Sequence, residues 1–273
     1  MSLRILDWDG DFSDSRLGEA AVTIGVFDGV HLGHQELIGR IVRKGPNPTV
    51  VTFYENPKKM LGPQLFEGDI YSLRQKLAIF EGLGVSQVIL IDFSANFSKL
   101  SGREFLKRLE DRVKIIFLAV GSNFRCGYRQ DTGANRIKEE NERRGIPTEV
   151  LDPVEISVLP GAGPVNSSRI RASILSGDVG QAAILMGRNV ELDLEDIGSL
   201  DCKPAGMGPG DCCFEYNPGA HDRVIPAVGQ YRVLVQPGRR DGKLLAGDGK
   251  VFLYGEKRFF GEGYSPVKSV EFL

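Results

Sequence analysis
Five short runs of apolar and β-branched residues recur through the first half of the chain: Ala21 to Ile24, Thr49 to Phe53, Val88 to Ile91, Lys114 to Val120 and Thr148 to Leu151. They lack the polar alternation of a strand with one wet face, and helix-like segments separate them. Such a pattern calls for a parallel sheet covered on both sides, a doubly wound α/β domain. Ser72 to Leu83 reads as a helix with Ser72 as its cap and Gly84 as its stop. Ser101 to Asp111 has Glu104 three residues after Ser101, a capping-box spacing, and Asp131 to Arg144 is amphipathic and heavily charged. Met1 to Glu19 is polar apart from Leu3 to Leu6, which suits an edge strand and a surface loop. Ligands of doubly wound sheets lie beyond the strands' carboxyl ends, where the winding reverses. The loops after Ile24, Phe53 and Val120 are therefore expected to converge on one crevice.

The first of these loops is the most informative. Residues 21–42 read AVTIGVFDGVHLGHQELIGRIV. Gly25, Gly29 and Gly33 punctuate a turn holding Phe27, Asp28 and His31, and from about Gly33 the apolar positions Leu37, Ile38 and Ile41 fall at helical spacing. A strand, a glycine-rich turn and a helix N-terminus present backbone N–H groups and a positive dipole end to an anion. Two of the chain's 3 histidines, His31 and His34, stand at that point, which marks a phosphate-handling nucleotide site. Asp28 reads either as a turn residue or as a nucleotide contact, and the three glycines permit close backbone approach. A second anion-binding pattern is Asn166-Ser167-Ser168-Arg169-Ile170-Arg171, heading a helix that ends near Gly177. Hydroxyls at the cap join two guanidinium forks there. Arginine in a first turn opposes the helix dipole, a cost that a bound polyphosphate reverses.

Beyond Gly187 the character changes. Glu191 to Asp201 is acidic and irregular, and Pro204 to Gly210 (PAGMGPG) suits no regular element. Four short runs follow, Cys212 to Tyr216, Gln230 to Val235, Lys250 to Tyr254 and Val267 to Phe272, with glycine-bearing turns at Pro237-Gly238 and Asp248-Gly249. This tail reads as a small antiparallel β-barrel, which divides the chain into domains 1–187 and 188–273. A length of 273 residues agrees with two domains. A net charge of -2 leaves no footprint for nucleic acid or an anionic membrane. No apolar run reaches the length of a membrane span and the N-terminus lacks a signal pattern, so a cytoplasmic location is expected. The cysteines Cys126, Cys202, Cys212 and Cys213 form no C-x-x-C pair and read as reduced, small apolar side chains.

Gly25-Val26-Phe27-Asp28-Gly29-Val30-His31-Leu32-Gly33-His34 resembles the HxGH signature of the nucleotidyltransferase superfamily, in the form found in prokaryotic FAD synthetases. Residues 166–171 resemble that family's SSTRIR motif, with Asn166 for the first Ser and Ser168 for the Thr. Gly121 to Gly127 (GSNFRCG) resembles G-x-[DN]-F-x-F-G, with Cys126 in place of an aromatic. Val51 to Pro57 (VTFYENP) resembles TFxPHP, with Glu55 and Asn56 where Pro and His are usual. The stretch Phe93 to Leu106 also has a family counterpart, its aromatics read as packing. The resemblance covers Ile24 to Gly187 and implies transfer of the adenylyl group of ATP to FMN, giving FAD and pyrophosphate, with Mg²⁺ carried by the triphosphate. It implies His31, His34 and Arg171 as catalytic groups and Gly25, Phe27, Asp28, Gly29, Gly33, Ser167, Ser168 and Arg169 as the ATP site. Phe53, Pro57 and Asn123 are the implied flavin site, and no residue is assigned to metal. Arg171 is the preferred phosphate clamp, with Arg169 structural.

In bifunctional family members a riboflavin kinase barrel follows the first domain, marked by a G-F-P-T-A-N motif and a catalytic Glu. Nothing between Arg188 and Tyr231 spells that motif, although Val224 to Val235 and Val270 to Leu273 resemble kinase-domain strands. The expectation is a kinase-like barrel without kinase activity. A bifunctional enzyme that also takes riboflavin, through a divergent motif, is the alternative. A silent flavin- or nucleotide-binding regulator is the alternative from another class. The oligomeric state is left open.

Overall fold
A computed structural model of the chain describes residues 2–10, 17–93, 96–157, 162–194, 211–216, 222–236, 238–247, 250–256 and 267–273. They form two bodies, Met1–Phe66 with Lys76–Glu155, and Glu67–Gln75 with Ile156–Leu273.

In the first body the main strands are β1 (Arg4–Asp7), β2 (Leu17–Ile24), β3 (Thr49–Phe53), β4 (Gln87–Ile91) and β5 (Val113–Gly121). After them a two-residue ladder joins β6 (Arg125–Cys126) to β7 (Thr132–Gly133), and β8 (Thr148–Leu151) returns to the main sheet. That sheet has six strands in the order β1-β4-β3-β2-β5-β8, every pair parallel. Its helices are α1 (Leu32–Lys44), α2 (Pro57–Leu61), α3 (Leu73–Gly82, of which residues 76–82 belong to this body), α4 (Gly102–Glu110) and α5 (Ala134–Glu142). All of β4 and the first four residues of β3 are buried, which is why these strands read as continuous apolar runs rather than alternating ones. Trp8, Ile24, Val51, Ile91, Phe105, Leu118 and Val120 belong to one core cluster. From β2 the chain steps outward through β3 and β4, then crosses to the other side of β2 for β5 and β8. The winding reverses between β2 and β5.

Local signals place the helices. Ser101 and Glu104 form the expected capping box of α4. Ser72 and Gln75 do the same before α3, each side chain meeting the other's backbone N–H at 3.1 Å. Arg4–Asp7 is the expected edge strand.

In the second body β9 (Glu155–Ile156) and β10 (Gly163–Pro164) form a short ladder before α6 (Ser167–Leu175) and α7 (Val179–Met186). The strands β11 (Glu191–Asp193), β12 (Asp211–Tyr216), β13 (Gly229–Gln236), β14 (Arg240–Gly247), β15 (Lys250–Glu256) and β16 (Ser269–Phe272) follow. They make an antiparallel half-barrel sheet in the order β11-β16-β13-β14-β15-β12. Three of these elements differ from the sequence reading. Residues 191–193, taken as irregular, pair with β16 because Leu192 is buried while its acidic neighbours are held by polar contacts. Arg240–Gly247 was not anticipated because only Leu244 and Ala246 face inward in a polar run. α7 follows α6 after a turn, capped by Asp178, whose carboxylate accepts from Gln181 N at 2.9 Å. The PAGMGPG stretch, Cys202 and the Asp248-Gly249 turn lie outside the described residues, as do the side chains of Cys212 and Cys213.

Candidate active site
The loop after β2 is strained and pinned. Phe27, Gly29 and Val30 have φ of 54°, 76° and 38°, a region that a β-branched residue such as Val30 rarely occupies. Backbone strain of this kind persists only where the surroundings over-determine it. Here Gly25 N donates to Val51 O at 3.1 Å and Val30 N to Phe27 O at 3.1 Å. The Thr52 hydroxyl donates to Val26 O at 3.1 Å and the Gln35 amide to Val30 O at 3.0 Å. A Cβ on Gly25 would sit 3.1 Å from the Phe27 ring, so a larger residue there would press on the ring where it folds back. Phe27 is wholly buried, edge-on to Phe80 at 5.7 Å and to His34 at 5.0 Å. Its side chain therefore shapes the loop from beneath, and Asp28 is buried with it.

His31 is the N-cap of α1, which starts at Leu32, one residue before the sequence placed it. Its Nδ1 accepts from His34 N at 3.4 Å. A neutral ring that accepts at Nδ1 carries its proton on Nε2. The His31 and His34 rings stack with centroids 3.6 Å apart and planes 17° from parallel. Two imidazoles on one helix N-terminus form a compact set of donors for phosphoryl oxygens.

The residues singled out at α6 lie in the second body. Its N-cap is Asn166, whose side chain accepts from Arg169 N at 2.9 Å, so the hydroxyls of Ser167 and Ser168 fall in the first turn rather than at the cap. Both guanidinium groups donate to backbone carbonyls, Arg169 Nη1 to Gly163 O at 3.0 Å and Arg171 Nε to Gly68 O at 2.9 Å. Arg171 is buried. Gly68 is itself held: its φ is +97°, and a Cβ there would meet the backbone of Asp222, Arg223 and Val224 at 2.9 to 3.0 Å. Asp69 N donates to Asp222 O at 2.7 Å and Val224 N to Asp69 O at 3.1 Å. Farther along the same segment, fully buried Asp193 accepts from the Ser72 hydroxyl at 2.7 Å and is ion-paired to Arg74. Residues 67–75 are thus a strap that joins β11, residues 222–224 and Arg171.

A cavity of about 450 Å³ opens in the first body beyond the carboxyl ends of β2, β3, β4 and β5, the position the reversed winding dictates. Phe53, Pro57 and Asn123 all line it, so the structure brings the three flavin-site expectations to one place. His31 and His34 do not line it, but Ile24, Gly25 and Val26, at the start of their loop, do. Phe93, Phe97 and Phe105, read from sequence as packing, are part of the wall. They also pack: Phe53 meets Phe93 at 5.8 Å and Phe97 at 6.2 Å, and Phe97 meets Trp8 and Phe105 at 5.7 Å. Asn56, where the family pattern has His, is buried and caps α2, accepting from Lys58 N at 3.1 Å. Cys126, half-buried in the wall, has its thiol pushed up to about 12 by burial, so it stays a neutral apolar surface. Sequence reasoning also passed over Lys58 and Arg125, each adjacent to a residue it had singled out.

Residues 13–160, more than half of the chain, match the family model described as FAD synthetase. The chain belongs to the FAD synthetase family. Among its curated relatives, the bifunctional riboflavin kinase/FMN adenylyltransferase of Pseudomonas fluorescens is 30% identical over 171 residues, 61% of this chain and 53% of the relative. The proteins of that name from Bacillus subtilis strain 168 and Escherichia coli strain K12 are 27% and 25% identical, over 62% and 61% of this chain and 54% and 53% of theirs. The chain spans about half the length of the curated relatives it matches. The fold of the whole chain is shared with a crystal structure titled macrolide-efflux protein from Streptococcus pneumoniae, with TM-score 0.79 and 24% identity, covering 100% of this chain and 90% of that one. No helix among the described residues is long and apolar enough to cross a membrane.

Proposed function
We propose that this chain transfers the adenylyl group of ATP to FMN, forming FAD and pyrophosphate. A phosphate oxygen of FMN forms the new bond to the α-phosphorus, and the bond from that phosphorus to the bridging oxygen breaks. Pyrophosphate leaves with the electron pair. Such a transfer needs positioning and charge stabilisation rather than a covalent intermediate. His31 and His34 are proposed to donate to phosphoryl oxygens, with the backbone N–H groups at the head of α1 beside them. Ser167, Ser168 and Arg169 are proposed ATP contacts, and Arg171 a further phosphate donor whose orientation Gly68 sets. Among the described residues no group of three His, Cys, Asp or Glu side chains could hold a metal. In this reading Mg²⁺ is part of the nucleotide substrate, with phosphate oxygens and waters as its ligands.

The observation that carries the reading is the cavity: five phenylalanines suit a flat aromatic ring system, and its wall includes the start of the histidine loop. The family match to residues 13–160 and the relatives' names support the same substrates. The test is a product assay with FMN and ATP, which should yield FAD and pyrophosphate; ligand binding without pyrophosphate release would favour a regulator. Residues 188–273 are proposed to be a kinase-like domain that does not phosphorylate riboflavin. FMN appearing from riboflavin and ATP would show the bifunctional alternative to be right.

A further inference from the structure
The cavity wall is chemically one-sided. Its floor is aromatic, and among its 19 lining residues there is no Asp or Glu, yet there are two cations, Lys58 and Arg125. They come from different elements, α2 and β6. Lys58 follows β3 and Arg125 follows β5, and these strands are the two neighbours of β2 in the sheet. The last residue of β2 and the two after it, Ile24 to Val26, also line the cavity and lead into the histidine loop. The neighbouring cation Lys59 has its own partner, Glu55 at 3.6 Å. Neither Lys58 nor Arg125 forms an ion pair among the described residues.

An aromatic cavity with two unpaired cations favours a planar apolar ligand that carries an anionic group. We propose that Lys58 and Arg125 are specificity residues that read the phosphate of FMN and so discriminate it from riboflavin, which shares every other group. This rests on the adenylyl-transfer reading. The discrimination has a chemical purpose: riboflavin has no phosphate to attack ATP, so a site that filled with it would be blocked. Charges at a solvent-facing rim are screened, so each cation is expected to contribute a factor of about three to five, and the pair about tenfold.

The experiment is steady-state pyrophosphate release by the full chain with FMN and ATP, using riboflavin as a competitor of FMN. Lys58→Ala and Arg125→Ala should each raise KM for FMN by about three- to fivefold, and the double variant by about tenfold. The Ki of riboflavin and the KM for ATP should stay within about twofold. Raised salt should weaken FMN binding in the native chain and much less in the double variant. Lys58→Arg, which keeps the charge, should retain KM for FMN. The proposal is overturned if KM for FMN and Ki for riboflavin rise together, as lost packing would cause, or if neither moves. Should the native chain release no pyrophosphate with FMN, the adenylyl-transfer reading falls, and this rim falls with it.

Discussion

The heads of α1 and α6 carry similar sequence signals, imidazole or guanidinium groups in the first turn of a helix, but the fold uses them differently. At α1 the preceding residues Phe27, Gly29 and Val30 are bent into left-handed conformations, and the imidazoles of His31 and His34 stack on the helix start. At α6 the Asn166 cap is regular, and Arg169 and Arg171 donate to the carbonyls of Gly163 and Gly68. A nitrogen-bearing side chain at a helix beginning can thus be held in two ways: stacked on the helix start beside strained backbone, as at α1, or donating to a distant carbonyl, as at α6. The proposed function gives the first a ligand to face.

The sharpest test of this contrast is at α1. His31→Ala or His34→Ala should lower adenylyl transfer by about 10²- to 10³-fold, the usual loss when one charge-stabilising donor is removed. Unchanged pyrophosphate release in both variants would break the comparison, because the strained loop would then hold no reacting group. At α6 the first-ranked effect is on stability. Gly68→Ala combines a φ of +97° with a clash against residues 222–224, and should cost about 2–4 kcal/mol in urea unfolding. A variant as stable as the native chain would mean the strap does not fix Arg171.

Arg171→Lys keeps the charge but loses the Nε donor to Gly68. The expected loss is about 1–2 kcal/mol. If Arg171 also contacts nucleotide, KM for ATP should rise with it while KM for FMN holds; a stability loss alone would leave α6 with only the structural use. The smallest effect concerns Cys126. With its thiol pushed up to about 12, alkylation by iodoacetamide at pH 8 should run far below the rate of an exposed thiol. The raised value favours the protonated native state, so its contribution to stability is complete below the ordinary thiol range and is lost as pH rises toward 12. Rapid alkylation in the native state would show the wall opening to solvent.

Much of the first body was legible in the chain. The runs at residues 21–24, 49–53 and 88–91 became β2, β3 and β4 because a parallel sheet buried on both faces needs uninterrupted apolar residues. The short strands of the second body were harder to read. Leu192 alone marks β11, and Leu244 and Ala246 mark β14, since an edge or half-exposed strand needs only one or two inward side chains. The flavin-site expectations at Phe53, Pro57 and Asn123 share one cavity, but their neighbours Lys58 and Arg125 were passed over. A lone cation after a strand looks like solvated surface until the fold shows what lies across from it.

By its own pattern the sequence specified the parallel sheet, the glycine-rich turn before α1 and the position of the histidine pair, because hydrophobic period, turn chemistry and capping act within a few residues. Which phenylalanines bound a cavity, which carbonyl receives Arg171 and which charge meets Asp193 were decided only in the folded chain. Those partners lie tens of residues away or more, and their free energies arise from burial and desolvation, which exist only once distant segments have excluded water together.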